Sequence, residues 1–155
     1  MKKNIIIIVI VAAVASLVFY FLSQRNPEIN SSNEENKVIV YKSPTCGCCV
    51  KYISYLKSQG LKIETVTTND TASVKNEHKI SRDMESCHTA IFGDYFVEGH
   101  VPIEAVNKLL EEKPDIDGIA LPEMPSGSPG MPGPKLEPFK IYSIKDGQAS
   151  EFLSL

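Results

Sequence analysis

The sequence predicts an α/β fold, because strand-like apolar segments alternate along the chain with segments that have the spacing of amphipathic helices. The composition agrees with a folded protein, since 43% of the 155 residues are hydrophobic and 23% are charged, which excludes wholesale disorder. The formal net charge of −3, without any basic cluster longer than two residues, argues against nucleic acid as a partner. The four cysteines are the unusual feature, because three of them fall within four residues.

A membrane segment is predicted at the N-terminus, ahead of this fold. Residues 5–22 are apolar apart from Ser16, which is marginally long enough for a helix to cross a bilayer. Lys2 and Lys3 precede the run and favour a cytoplasmic N-terminus with the remainder exported. The pattern predicts an uncleaved transmembrane anchor, with a cleaved signal peptide as the alternative.

The chain therefore divides into three parts. Residues 1–25 are the anchor or signal segment, residues 26–37 are a flexible tether rich in Asn, Ser and Glu, and residues 38–155 are the folded domain. This order predicts a periplasmic or otherwise extracytoplasmic domain that is tethered to the cytoplasmic membrane, or secreted if the segment is cleaved.

The first part of the domain is predicted to be a strand–helix–strand unit. Residues 37–41 are a short apolar run with β-branched side chains, typical of a buried strand. After the cysteines, Val50, Ile53 and Leu56 recur at three-residue steps and predict an amphipathic helix. Residues 61–67 alternate apolar and polar side chains and predict a second strand. The connection between the two strands has the length of a parallel βαβ crossover.

The rest of the chain predicts shorter elements and one irregular segment. They are a weak helix at 71–79, two strands at 89–92 and 96–99, a helix that starts at Pro102, and a hairpin of 139–144 with 149–153. Residues 121–138 hold six prolines and three glycines, which no regular element tolerates. The element order is that of a thioredoxin-like domain with a C-terminal β-hairpin extension.

The cysteines at the predicted strand–helix junction favour thiolate chemistry. Cys46 and Cys49 form a Cys-x-x-Cys pair, and a helix N-terminus stabilises a thiolate. A thiol–disulfide oxidoreductase that uses this pair is therefore one interpretation. Pro102 has the position of the cis proline that thioredoxin-like folds set against such cysteines, with the first residue of its helix as the alternative interpretation.

A metal site is the other interpretation, because Cys48 is a third sulfur that would invite wrong pairings in a disulfide exchanger. Cys87 adds a fourth sulfur, and His88 supplies an imidazole beside it. Met131 adds a thioether from the segment rich in Pro and Gly. Soft ligands of this kind select Cu(I) over hard cations, and closely spaced thiolates can bridge several Cu(I) ions.

Other interpretations of these side chains stay open. The four cysteines could form two structural disulfides, or hold zinc in an interaction module, although zinc sites normally use separated Cys-x-x-Cys pairs. His100 could line the site or cap the following helix, and Met124 could be a ligand or a loop anchor. Tyr52 and Tyr55 are expected on the solvent side or edge of their helix, without a function.

Five ordered segments resemble the CopG-type copper-resistance family of exported, thioredoxin-like proteins. They are YKSPTCGCC at 41–49, TND at 68–70, SCHTA at 86–90, EGHVP at 98–102 and MPSGSPGM at 124–131. The resemblance implies a multinuclear Cu(I)–thiolate cluster held by the cysteine turn and the Cys-His pair. It also implies a role in copper redox handling, alongside other copper-resistance proteins. It leaves enzymatic turnover open.

Overall fold

The computed structural model describes residues 37–155 together with Ser16. The predicted anchor or signal segment at residues 1–25, apart from Ser16, lies outside the described residues, as do residues 26–36 of the predicted tether. Within the described part of the chain, no helix is long and apolar enough to span a bilayer.

The described residues form seven strands and three helices. The strands are β1 (Lys37–Lys42), β2 (Lys62–Thr67), β3 (His88–Phe92), β4 (Tyr95–Gly99), β5 (Gly118–Leu121), β6 (Lys140–Lys145) and β7 (Gln148–Ser154). The helices are α1 (Gly47–Ser58), α2 (Thr71–Glu77) and α3 (Ile103–Glu112). This alternation confirms the predicted α/β class.

The seven strands form a single mixed sheet in the order β2-β1-β3-β4-β5-β6-β7. The β1–β2 and β4–β5 pairs are parallel, and the remaining neighbours are antiparallel. The parallel β1–α1–β2 crossover and the β3–β4 hairpin are as predicted. The C-terminal hairpin of β6 and β7 extends the sheet at one edge, where it pairs with β5.

The apolar core is divided between the two faces of the sheet. On one face, Val40 and Val97 belong to a buried cluster that includes Leu56 of α1. On the other face, Phe96 packs in a smaller cluster with Ile80. Successive strand residues point to opposite faces, so this division follows directly from the alternation along each strand.

Strand β5 was not predicted. Its four residues are buried throughout, so they show no alternation, and the strand begins at a glycine. Gly118 is required because a Cβ there would lie 2.3 Å from the Phe96 carbonyl oxygen. The close parallel pairing with β4 therefore depends on a residue that ordinarily signals a break in a strand.

Helix α1 forms as predicted, but its buried face differs from the prediction. Val50 is 52% exposed, whereas Cys49, Tyr52, Ile53 and Leu56 are buried. The buried positions have the i, i+3, i+4, i+7 spacing of a helix face, which three-residue steps from Val50 do not follow. The expectation that Tyr52 faces solvent was wrong, because it is fully buried.

Pro102 lies directly before α3 and is its N-cap, with extended backbone angles. The described residues contain no cis peptide bond, so the interpretation of Pro102 as a cis proline is wrong. Proline suits this position because the first backbone N–H groups of a helix have no intrahelical partner.

Candidate metal centre

The candidate site lies where β1 ends and α1 begins. Cys46 is the N-cap of α1, and its sulfur accepts a hydrogen bond from the Cys49 N–H at 3.3 Å. Cys48 and Cys49 occupy the first turn, where unpaired backbone N–H groups favour negative charge. Cys87 directly precedes β3, which runs antiparallel to β1, so the two cysteine-bearing segments meet at one edge of the sheet.

The four cysteine sulfurs form a compact group within 4.8 Å of one another. Cys46 and Cys49 are joined in a disulfide, and Cys48 and Cys87 are free. The Cys48 sulfur lies 3.5 Å from that of Cys46 and 3.7 Å from that of Cys87. The Cys87 sulfur lies 3.5 Å from that of Cys49, so each end of the disulfide has a free thiol beside it.

Two histidines extend the sulfur group. The Cys87 sulfur lies 3.4 Å from His88 Nδ1 and 3.3 Å from His100 Nε2. These three side chains form a second set whose donor atoms all lie within 4.8 Å of one another. Cys87 belongs to both sets, so it links four sulfurs to two imidazoles.

Both imidazoles are held in the neutral form that binds metals. Burial lowers the pKa of His88 to about 3, with a smaller contribution from the neighbouring His100. Burial also lowers the pKa of His100, against the opposing effect of its hydrogen bond to Pro129. Neutral His88 keeps Nε2 buried without a hydrogen-bond partner, which is an unusual state for a polar atom.

The orientation of His100 is fixed from its other side. Its Nδ1 lies 2.6 Å from the Pro129 carbonyl oxygen, so Nδ1–H donates and Nε2 keeps its lone pair toward Cys87. A carbonyl that fixes the tautomer of a ligating histidine is the usual outer support of a metal site. The sequence left the role of His100 open. His100 directly follows β4, and Cys87 directly precedes β3, the strand antiparallel to β4. Because the end of β4 lies beside the start of β3, this position is the signal that could have revealed the role of His100.

Cys87 is a thiol in the metal-free protein. Burial raises its pKa to about 12, and the neighbouring Cys48 adds to the rise. Binding of a metal ion at this sulfur would therefore displace a proton.

Tyr52 forms one wall of the site, a role that sequence reasoning missed. Its ring centroid lies 4.7 Å from that of His88 and 5.1 Å from that of His100. Its hydroxyl donates to the Val101 carbonyl oxygen at 2.9 Å. The helical spacing of Tyr52 from Cys49 and Leu56 is the signal that could have shown its burial.

The segment rich in Pro and Gly packs against α1. A Cβ on Gly130 would lie 2.7 Å from the Tyr52 backbone nitrogen, so this part of the segment contacts the helix directly. Met131 follows, half-buried, with its N–H donating to the Ser128 carbonyl oxygen at 2.8 Å. The predicted ligand Met131 is thus next to a residue that contacts α1. Its role as a ligand stays a prediction, and so does that of Met124.

The donor set of the site suits a soft metal ion. It consists of thiol sulfurs and neutral imidazole nitrogens, and none of the grouped donors is a carboxylate. Such donors favour copper, zinc or iron–sulfur chemistry over magnesium or calcium.

Comparisons with known proteins agree with this chemistry. The model of a family described as a protein of unknown function, DUF411, matches residues 84–131, which include Cys87, both site histidines and Met131. A solved structure of copper resistance protein copG, form 2, is 36% identical, covers 77% of this chain and 97% of its own, and superposes with a TM-score of 0.71. Form 1 gives the same identity and coverage of this chain, 96% of its own and a TM-score of 0.70. No curated protein matches the chain.

Proposed function

This chain belongs to the CopG-type copper-resistance family, and from that premise we propose that it binds copper as Cu(I) in a multinuclear thiolate cluster. The observation that carries the proposal is the group of four sulfurs within 4.8 Å, continued through Cys87 to two neutral imidazoles. Thiolates stabilise Cu(I) relative to Cu(II), and neighbouring thiolates can bridge several ions.

The proposed ligands divide into two roles. Cys46, Cys48, Cys49 and Cys87 act as bridging thiolates, while His88 and His100 supply nitrogen at the Cys87 end. Met131 adds a thioether from the segment that packs on α1. Because the disulfide form offers only two thiols, the four-thiolate cluster belongs to the reduced protein.

The proposed setting is the cell envelope. The predicted N-terminal anchor would tether the domain on the outer side of the cytoplasmic membrane, where copper and other copper-resistance proteins are its expected partners. The β1–α1–β2 crossover beside the β3–β4 hairpin supports a thioredoxin-like domain with a C-terminal hairpin. A role in copper redox handling is part of this proposal, because thiolate and imidazole ligands together can accommodate both copper oxidation states.

A second candidate function is thiol–disulfide exchange. The disulfide between Cys46 and Cys49 at the N-terminus of α1 favours it, as does the free Cys87 sulfur 3.5 Å from Cys49. In that reaction a substrate dithiol would be oxidised to a disulfide while the Cys46–Cys49 disulfide is reduced to two thiols, so that electrons and protons balance.

Metal titration with thiol counting tests both candidates. The full chain is purified anaerobically, reduced and titrated with Cu(I) in the presence of a chromogenic Cu(I) chelator, and a parallel sample receives Zn²⁺. We expect more than one tightly held Cu(I) per chain, four thiols protected from alkylation, and a copper X-ray absorption edge typical of Cu(I).

Three results would contradict the cluster. Failure to compete with the chelator would exclude copper binding, and a preference for one Zn²⁺ would favour a zinc module. Rapid reduction of a reporter disulfide by the reduced protein, without retention of copper, would favour the exchange reaction.

A further inference from the structure

A single buried carboxylate holds both residues that flank the Cys87–His88 pair. Glu98 Oε1 accepts the backbone N–H of Ser86 at 2.6 Å, and Oε2 accepts the Thr89 hydroxyl at 2.6 Å. Ser86 precedes Cys87, and Thr89 follows His88. The two ligand residues therefore lie between two hydrogen bonds to the same side chain, which is fully buried.

Lys75 of α2 completes this network from the opposite side. Its ammonium group makes an ion pair with Glu98 Oε1 and donates to Thr89 Oγ1 at 3.3 Å. Lys75 is 4% exposed, so both charges are removed from water. Burial raises the pKa of Glu98 and Lys75 opposes that rise.

The cost of burying two charges argues for a role other than stability. Replacing a buried ion pair by apolar side chains of similar volume is often neutral or stabilising, so stability alone does not account for such a pair. A network of this kind fixes geometry, because a carboxylate with several hydrogen bonds has one preferred position.

The network lies on the face of the sheet opposite His88. Thr89 and Glu98 are register partners on β3 and β4, and alternation places them on the face opposite His88. Glu98 is also two residues from His100. One carboxylate thus lies at the junction of the two strands whose ends carry Cys87, His88 and His100.

We infer that Glu98, held by Lys75, is a positioning residue that fixes the direction of Cys87 and His88 for metal binding. This inference rests on the proposed copper function. It assigns to the network the same role that hydrogen-bonded groups behind ligating histidines have in metal sites, where their loss typically costs about 10- to 100-fold in metal affinity.

The test separates positioning from stability with two designed variants and a control. Glu98→Gln keeps the shape of the side chain but provides one acceptor in place of two. The triple variant Lys75→Met/Thr89→Val/Glu98→Leu replaces the three side chains of the network by apolar ones, and of the network's polar groups only the half-buried Ser86 N–H remains. Glu112→Gln removes a carboxylate from an exposed ion pair with Lys108 on α3 and serves as the matched control.

Three quantities are measured on the full chain: Cu(I) affinity against a chelator, the nitrogen contribution to the copper X-ray absorption spectrum, and the urea midpoint without metal. We expect Glu98→Gln and the triple variant to bind Cu(I) about 10- to 100-fold more weakly, with a smaller nitrogen contribution. The triple variant should keep a urea midpoint near that of the unmodified chain, and Glu112→Gln should match that chain in all three.

Wild-type Cu(I) affinity and nitrogen contribution in the triple variant would overturn the inference, and so would copper affinities that merely follow the urea midpoints. If the triple variant does not fold, Thr89→Val alone decides, because it deletes one hydroxyl and keeps the side-chain shape. About 10-fold weaker binding is then expected, and unchanged binding would refute the role. If the unmodified chain itself retains no Cu(I), the proposed function fails, which distinguishes the two failures.

Discussion

Cys87 is the residue on which the site depends. Its sulfur lies within 3.7 Å of the sulfurs of Cys48 and Cys49 and within 3.4 Å of one nitrogen of each site histidine. A thiolate can bridge metal ions, so this sulfur is placed to share ions between the sulfur and imidazole halves of the site.

A substitution of Cys48 distinguishes copper binding from disulfide exchange, because Cys48 is not part of the Cys46–Cys49 disulfide. Cys48→Ser should lower the number of Cu(I) ions that the reduced protein retains, since one bridging sulfur is lost. Exchange through Cys46 and Cys49 should be largely spared. Copper analysis and a reporter-disulfide assay on the same sample measure both, and an unchanged copper stoichiometry would rule out the cluster.

Tyr52 forms one wall of the site with its ring, and its hydroxyl donates to the Val101 carbonyl oxygen. Tyr52→Phe should lower the free energy of unfolding by about 1 kcal/mol, because the buried Val101 carbonyl loses its hydroxyl donor. Copper stoichiometry should not change. Urea unfolding and copper analysis check this, with Tyr41→Phe as the control. A loss of bound copper in Tyr52→Phe would show that the hydroxyl has a direct role.

At the scale of elements, the contact between α1 and the segment rich in Pro and Gly shapes the site. This segment supplies the Pro129 carbonyl that orients His100, and its backbone reaches α1 at Gly130. Gly130 has a φ of +82°, in the left-handed region, so both its conformation and its close approach require glycine.

Gly130→Ala is expected to push this segment away from α1. Backbone strain and the close contact with Tyr52 together should lower the unfolding free energy by roughly 3 kcal/mol. Copper affinity should fall as well, because His100 loses its orienting carbonyl.

Gly60→Ala is the matched control, since Gly60 has a φ of +88° but no atom within 4 Å of a built Cβ. It should cost only about 1 kcal/mol of backbone strain. Urea unfolding of the two variants checks the difference, and equal losses would contradict a packed contact at Gly130.

At the scale of the whole described unit, the strand order assembles the site. β1, β3 and β4 are neighbours in the interior of the sheet. The last residues of β1, the first residues of β3 and the last residues of β4 therefore lie side by side at the same end of these strands. Cysteines from one segment and a Cys–His pair from another thus meet, although Cys49 and Cys87 are 38 positions apart in the sequence.

Burial of His88 predicts an acid limit to the stability of the metal-free protein in its Cys46–Cys49 disulfide form. Folded His88 has a pKa of about 3, against an ordinary value of 6.5, so below about pH 6.5 the unfolded chain binds a proton that the folded chain does not. The contribution of His88 to the free energy of unfolding should therefore fall as the pH drops from about 6.5 toward about 3.

A stability loss is also expected above about pH 9, because burial raises the pKa of Cys87 from 9.0 to about 12 and only the unfolded thiol ionises in that range. Urea midpoints across the pH range measure both limits. His88→Phe should make the loss of stability at acid pH smaller, while buried His100 keeps part of it. An acid loss identical to that of the unmodified chain would contradict the role assigned to His88.

Much of the fold could be predicted because local patterns carry it. The β1–α1–β2 crossover, the β3–β4 hairpin, α3 and the C-terminal hairpin follow from periodicity and turn residues. β5 escaped prediction because burial on both faces removes alternation, and Gly118 mimics a break. The buried face of α1 was misassigned because the prediction started from Val50, whereas the face that follows i, i+3, i+4, i+7 spacing starts from Cys49 and includes Tyr52.

The sequence by itself determined which donor groups this protein carries: soft sulfur donors at a strand–helix junction and a Cys–His pair. These follow from residue type and short spacing, which need no fold to be recognised. Tertiary structure decided the partners of those groups, namely His100 beside Cys87, Tyr52 against both imidazoles, and Glu98 behind the ligand strand. Such contacts join segments distant along the chain, and the pairing of strands in the sheet is what brings them together.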